Sequence, residues 1–425
     1  MRHTIGRRGA VWVLAGALAV DLFGGSVAEA RPTKPSYPAV DQPGVTPTEI
    51  KVGGVVSKTN PLNGPYASAF DGVQAYFDMV NSQGGVYGRK LKLVAKRDDQ
   101  VANNLRETQG LLDQDKVFAV LPVATIYSFS GSRPLAEQKV PTFGWEINDE
   151  WIPAPNLFGI NGYNCSTCVT PRASGVAALA KKKTVGILAY AVPNSADCAN
   201  TIKKSYEKYG GPKVGYISTS LSFGTTDFSA EVKKMKDAKV DLVNHCLDEN
   251  AALQLAKEMK KQGLNAIQYL PNAYDQQFVR ANAPFFAGSL VHAGFAPFET
   301  KPQPTGLKLF NKWMKKARYE RNESAITGWM SAYLFVTGLK AAGADFTRQK
   351  VTDALNQPKF ANDTIQGLQY GSQTINHTKV SDITCDAIVK VAPDGSFVPW
   401  NTKPGKPFLC WPDHPATAPK TFTRR

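Results

Sequence analysis

The chain has 425 residues, a formal net charge of +15 and 43% hydrophobic residues, a size that calls for two domains of about 100–200 residues each. A charge this positive admits nucleic acid, an anionic surface or an anionic ligand as partner. The lysines, however, fall in small scattered groups at 181–183, 203–204, 233–234, 260–261 and 315–316, with no basic block interleaved with aromatics; that pattern describes solvated faces and argues against nucleic acid.

Residues 1–30 read as a secretory signal. Arg2, Arg7 and Arg8 give a positive start, "AVWVLAGALAV" is an apolar run, and "AEA" at 28–30 offers a small-x-small cleavage pattern. The run falls short of the roughly 20 residues a bilayer span needs, and no later segment approaches one. The mature chain is therefore expected in the periplasm or at the outer face of the cell envelope, with no transmembrane segment. The Arg7-Arg8 pair leaves both the general and the twin-arginine export routes open. Residues 31–48 contain five prolines and no apolar period, a composition that suits an extended linker.

From Glu49 the texture changes. "IKVGGVV" is a short β-branched run, followed by the loop "SKTNPLNGPY" and a helical pattern in which Phe70, Val73, Phe77 and Val80 share one face. Gly84 and Gly85 stop that helix. "RKLKLVAKRDD" alternates like a strand, 101–116 reads as a helix, and "VFAVLP" is a buried strand. The rhythm resumes with strand candidates at 184–190, 213–218, 240–246 and 266–271. Helices separate them: one carries the stripe Phe228, Val232 and Met235, and another ends at Gly263. Strands alternating with helices of this length predict parallel sheets, and two such runs predict two doubly wound α/β lobes. The third part differs, with helices over 306–320 and 325–343, another within "FTRQKVTDALNQ", and a hairpin over 385–400 turning at Pro393-Asp394-Gly395.

Nothing nominates an enzyme. His245, His292, His377 and His414 sit in unrelated contexts without metal-ligand spacing, and no G-x-S-x-G elbow, P-loop or dinucleotide fingerprint occurs. "GGVYG" at 84–88 follows a helix instead of joining a strand to one, so it reads as a helix stop and turn. No cofactor is expected.

The stretch "IKVGGVVSKTNPLNGPYASAFDGVQAYFDMVNSQGGVYGRKLKLVAKRDD" resembles the start of the type I periplasmic solute-binding proteins of ABC transporters, the branch similar to the Leu/Ile/Val-binding proteins. The likeness lies in a loop ending in Gly-x-Tyr, a helix closed by N-x-x-G-G-x-x-G, and paired aspartates. It continues through "VFAVLPVATIYSFSGSRPLAEQKVPTFG" and 224–264, and nearly all of 49–400 can be laid on the pattern. The resemblance implies two Rossmann-like lobes joined by three crossover strands: lobe 1 over 49–163 and 293–370, lobe 2 over 164–292 and 371–425. A cleft between them would hold a small-molecule ligand by hinge closure, and ABC permease subunits would recognise the closed monomer.

Binding residues follow only where the motifs correspond. The loop after the first strand supplies Tyr66, the loop after "VFAVLP" supplies Thr125, Tyr127 and Ser128 for a ligand carboxylate, and "GWEIND" supplies Trp145 and Glu146. From the second lobe come Tyr190, Asn194, Asp248, Tyr274 and Asp275. Two departures stand out. Amino-acid binders of this family commonly carry a small residue followed by Thr or Ser where this chain has "GWEIND". The loop that often supplies a glutamate for the α-ammonium here reads "PNAYDQQ". Either Asp248, Asp275 or Glu146 replaces that carboxylate, or the ligand is not an α-amino acid. The expected function is an ABC importer's substrate-binding protein for a carboxylate-bearing solute, an amino acid or an aromatic or organic acid. A sensor of the same fold and a secreted enzyme are the alternatives.

Six cysteines in an exported chain imply a disulfide framework. In this fold Cys385 and Cys410 bracket the terminal hairpin, while Cys198, opening the first helix of lobe 2, and Cys246, ending a strand of the same sheet, meet at the cleft edge. Cys165 and Cys168 are left for each other. The 165–168 spacing by itself admits zinc, thiol exchange or a staple; a structural disulfide at the first crossover is the expectation.

Overall fold

The computed structural model describes residues 36–147, 149–151, 154–160, 169–371, 383–414 and 420–425. The signal, the first five residues of the linker and the 165–168 cysteine pair lie outside the described residues. Residues 37–425 form one compact unit, and among the described residues no helix is long and apolar enough to cross a membrane.

The first sheet takes its strands in the order expected of a doubly wound lobe. Strand β1 (Glu49–Val56) leads to helix α1 (Ser68–Ser82), β2 (Lys90–Asp98), α2 (Asn104–Asp113), β3 (Ala119–Ala124), α3 (Ser132–Glu137), β4 (Thr142–Trp145) and β5 (Leu157–Ile160). All pairings are parallel, in the order β2-β1-β3-β4-β5. The four residues that share a face of α1 are all buried. Its stop is steric: Gly85 sits at φ +82, and a Cβ there would lie 2.0 Å from the Arg89 carbonyl, so only glycine fits the turn into β2.

The second sheet is built from α4 (Arg172–Leu179), β6 (Thr184–Tyr190), α5 (Pro193–Tyr209), β7 (Lys213–Leu221), α6 (Ser229–Asp237), β8 (Leu242–Cys246), α7 (Glu249–Gln262), β9 (Ile267–Leu270), α8 (Gln276–Ala281), α9 (Ala283–Phe286) and β10 (Leu290–Ala293). The chain then returns to the first sheet, where α10 (Thr305–Ala317), α11 (Glu323–Ala342) and α12 (Arg348–Leu355) follow one another. Helix α11 packs on α1, β3 and β4 and is apolar all round, as a helix buried on every side must be. Finally β11 (Ile383–Val391), β12 (Phe397–Pro399), β13 (Phe408–Pro412) and β14 (Thr423–Arg424) add antiparallel strands to the second sheet, in the order β14-β13-β11-β10-β9-β8-β6-β7. The β11–β12 turn falls at Pro393-Asp394-Gly395, with Ala392 N–H donating to the Ser396 carbonyl at 2.8 Å.

The chain thus passes three times between the sheets, after β5, after β10 and after α12. Two of these passages touch: Ala296 N–H donates to the Leu368 carbonyl at 2.7 Å. Among the described residues two disulfides are present, Cys198–Cys246 and Cys385–Cys410. Cys198 differs from the sequence reading in one respect. It lies in the second helix of its lobe, because 172–179, a small-residue stretch with little apolar periodicity, forms α4 first. The Cys198–Cys246 bond closes a loop of 48 residues, so the double variant Cys198→Ser/Cys246→Ser is expected to lose about 2–4 kcal/mol in denaturant melts. A loss within error would show that the unfolded chain gains nothing from the bond.

Candidate solute-binding cleft

Parallel sheets present ligands at the carboxyl ends of their strands, where loops and helix N-termini gather. Here both sheets do so toward each other. The loop after β1, the ends of β3 and β4, the loops after β8 and β9 and the N-terminus of α11 enclose a cavity of about 530 Å³ of non-atom space including its mouth. Gly64, Pro65, Tyr66, Ala124, Trp145, Glu249, Asn272, Tyr274, Asp275, Asn322, Glu323, Ser324 and Thr327 line it. The cleft is shut. Leu62 and Ile126 from the first sheet's loops are buried in one apolar cluster with Tyr190, Val192, Leu221 and Leu247. Asn250 Nδ2 donates to the Leu62 carbonyl at 2.6 Å and Asn194 Nδ2 to the Ile126 carbonyl at 3.3 Å.

Four sequence candidates line the cavity: Tyr66, Trp145, Tyr274 and Asp275. The Tyr66 and Trp145 rings stack with centroids 5.9 Å apart and make an aromatic wall. Tyr274 packs its ring against Phe295, Phe298 and Phe397; its hydroxyl donates to Glu299 and accepts from Phe298 N–H at 2.7 Å. Asp275 caps α8, accepting from Phe278 N–H at 2.9 Å.

The other seven lie off the lining. Thr125 is buried with its hydroxyl donating to the Ser128 carbonyl at 3.0 Å. The Ser128 hydroxyl and the Phe129 N–H both donate to Glu150, at 2.9 and 3.2 Å. Of the residues expected to hold a ligand carboxylate, Thr125 and Ser128 are therefore already engaged, Ser128 together with the neighbouring Phe129 amide by a carboxylate of the protein itself. Tyr127 is exposed and meets Phe223 edge to face. The Glu146 carboxyl packs over Gly159 of β5. Tyr190 donates to Asp248, whose other oxygen caps α7 through Asn250 and Ala251 N–H groups. Asn194 holds the closed loops as described.

Sequence reasoning missed Glu249 and Glu323. Glu249 follows Asp248 directly in "CLDEN", so the loop was found but its cavity-facing residue was not. Glu323 follows the cap Asn322, whose side chain accepts from Ala325 N–H at 2.9 Å. That cap marks a helix start, and nothing local says that the start faces a cleft some 250 residues away from Tyr66.

These carboxyls are strongly perturbed. Glu249 is pushed up to about 8, first by burial and then by the negative charges of Asp275, Glu323 and Asp248. Glu323 is pushed up to about 7 by burial, against the pull of His292 and the Tyr274 amide. Glu146 rises to about 8 by burial and then Asp149. Burial and the same acidic neighbours hold the Tyr66 hydroxyl protonated. Each carboxyl's folded value lies above the unfolded value of about 4.3, so between them the folded state binds more protons and stability falls as pH rises toward about 8. Glu249→Gln and Glu323→Gln are each expected to make the decline in melting temperature between about pH 5.5 and 8 shallower than in the wild type. Unchanged slopes in both would show that the two carboxyls ionise as they do in the unfolded chain.

A family model described as periplasmic binding protein matches residues 49–392. The chain belongs to the periplasmic binding protein family. Solved structures share its fold. A solute-binding protein of an R. palustris ABC transporter in complex with 4-hydroxybenzoate is 19% identical with a TM-score of 0.68, covering 86% of this chain and 97% of that one. A fatty acid ABC transporter substrate-binding protein from Thermomonospora curvata is 20% identical with a TM-score of 0.66, covering 85% and 94%. A branched-chain amino acid ABC transporter protein from Thermus thermophilus with bound valine is 19% identical with a TM-score of 0.65, covering 83% and 96%. No curated protein sequence matches the chain. At these identities the structures share a fold with this periplasmic binding protein, and their ligands are statements about themselves.

Proposed function

We propose that this periplasmic binding protein is the exported, monomeric substrate-binding protein of an ABC importer, closing by a hinge on one small organic solute and delivering it to permease subunits in the membrane. The lobes of the hinge are 49–163 with 293–370, and 164–292 with 371–425. The observation that carries this is the closed cavity between the carboxyl edges of two parallel sheets, walled by Tyr66, Trp145 and Tyr274. Aromatic walls suit an apolar or aromatic body with a few polar contacts fixing its orientation. No cofactor enters the proposal, and binding without turnover is its activity. The carboxylate expected on the solute from the sequence is left out, because Thr125, Ser128 and the Phe129 amide are committed to protein acceptors.

Mass spectrometry of the denatured, freshly purified protein tests the reading, together with a broad thermal-shift screen and small-angle scattering with and without each hit. One compound class that raises the melting temperature and keeps the particle compact is the expected result. A screen with no stabilising compound, or turnover of a bound one, would overturn it.

A further inference from the structure

We propose that the solute is a small organic cation: a protonated amine with an apolar or aromatic body and no free carboxylate. The inference rests on the cavity being the solute site and adds the charge of what enters it. Three of the lining side chains are carboxylates, Glu249, Asp275 and Glu323, and no Lys, Arg or His is among them. Two of the three have protein partners: Asp275 caps α8 and Glu323 accepts from the Tyr274 amide. The Glu249 carboxylate faces the cavity with no hydrogen-bond donor among the described residues. A basic side chain that acts on them, His292, is engaged by Asp386 at 2.6 Å.

A structural explanation competes with this one. Glu249 and Glu323 stand at the first positions of α7 and α11, where a carboxylate offsets the helix dipole. A helix N-terminus is equivalent to roughly +0.5 charge, yet burial outweighs it and pushes both glutamates up toward neutral pH in the cavity. A bound ammonium would supply the counter-charge that lets them ionise. An anionic solute would meet these acids with no basic side chain in the lining, and the loop that could have received its carboxylate is filled by Glu150. The stacked pair Tyr66–Trp145 offers ring faces that also attract a cation. Among the described residues no group of His, Cys, Asp and Glu is arranged to hold a metal ion, which leaves an organic cation. The unpaired Glu249 oxygens call for N–H donors, hence an amine rather than a quaternary ammonium.

The test uses the mature protein stripped of bound compounds by unfolding and refolding, and two matched sets of probes. One is 2-phenylethylamine, phenylalanine and 3-phenylpropionate; the other is 3-methylbutylamine, leucine and 4-methylpentanoate. Each is measured by thermal shift and titration calorimetry. Stabilisation by an amine, with its acid analogue inert and Glu249→Gln or Glu323→Gln weakening the amine about tenfold or more, is the expected result. Tighter binding of an acid or an amino acid than of its amine overturns the cation while leaving the solute-binding reading intact. If none of the six binds, the compound released from the purified protein decides: a net cation supports the proposal and a neutral or acidic compound overturns it. Absence of any stabilising or released compound overturns the solute-binding reading itself.

Discussion

Replacing Asp386 with alanine is expected to remove about 3 kcal/mol of stability, from the breaking of a buried charge pair. Asp386 lies in β11, fully buried, and gathers three partners from three other elements. His292 Nε2 of β10 approaches one oxygen at 2.6 Å, while Tyr269 of β9 donates to the other at 3.2 Å and Arg172 Nε of α4 stands 3.5 Å from it. Removing the carboxylate leaves the Arg172 guanidinium facing a neutral pocket and deprives His292 and Tyr269 of their acceptor. Such truncations cost about 3–5 kcal/mol; the low end applies because 37% of the Arg172 side chain meets solvent, where water takes part of the load. Asp386→Asn keeps an acceptor and is expected to lose less. Urea melts of both variants with unchanged slopes check this. An alanine variant within about 1 kcal/mol of the wild type would show that the cluster is replaceable by water.

Gly328→Val carries the second large effect. Helices α1 and α11 cross at glycines. A Cβ at Gly328 would lie 1.9 Å from the Ala69 carbonyl oxygen, and one at Gly72 would lie 1.8 Å from that of Ala325. Both obstacles are backbone, so no rotamer change relieves them and the helices must separate. Overpacking of this kind costs about 1–3 kcal/mol and sometimes more; two helices displaced by more than an ångström put this site at about 3 kcal/mol or above. Solute affinity is expected to fall as well, because the first turn of α11 carries Glu323 and Thr327 to the cavity. Gly338→Ala on the same helix is the control. Its Cβ would meet the tip of Leu355 at 2.9 Å, a side chain able to move, so a change within about 1 kcal/mol is expected. Equal melting temperatures for the Gly328 and Gly338 variants would count against close helix contact as the cause.

The parts of the fold legible in the sequence are those written in local periodicity. The stripe of α1, the alternation of strands and helices, the Gly263 stop and the hairpin at 393–395 each follow from side chains within a turn or two of one another. Two short strands, β4 and β5, carry no such signature: four residues are too few to establish a period, and the equally short β9 is marked only by its apolar run between two helical stretches. The site divides along the same line. Tyr66, Trp145, Tyr274 and Asp275 sit in loops whose place in the chain reveals their place at a sheet edge. Ser128 sits in such a loop too, but its hydroxyl answers to Glu150, which comes from the connection between β4 and β5. Glu249 and Glu323 become neighbours only when the starts of α7 and α11, which pack on different sheets, reach one cavity.

The contacts that keep the cleft shut reach beyond the cavity: Leu62 and Ile126 sit in an apolar cluster with residues of the opposite lobe, against which Tyr66 and Trp145 of the cavity also pack, and Asn250 and Asn194, which do not line the cavity, latch them. In a hinge protein the measured affinity equals the affinity of the shut form scaled by the fraction of molecules that are shut. The latch sets that fraction and the cavity sets the preference among solutes. Asn250→Ala would accordingly weaken every ligand by one common factor and leave their ranking intact. The asparagine latches are thus a dial for overall affinity apart from selectivity, whereas Tyr66 and Trp145, which line the cavity and pack on the closing cluster, turn both at once.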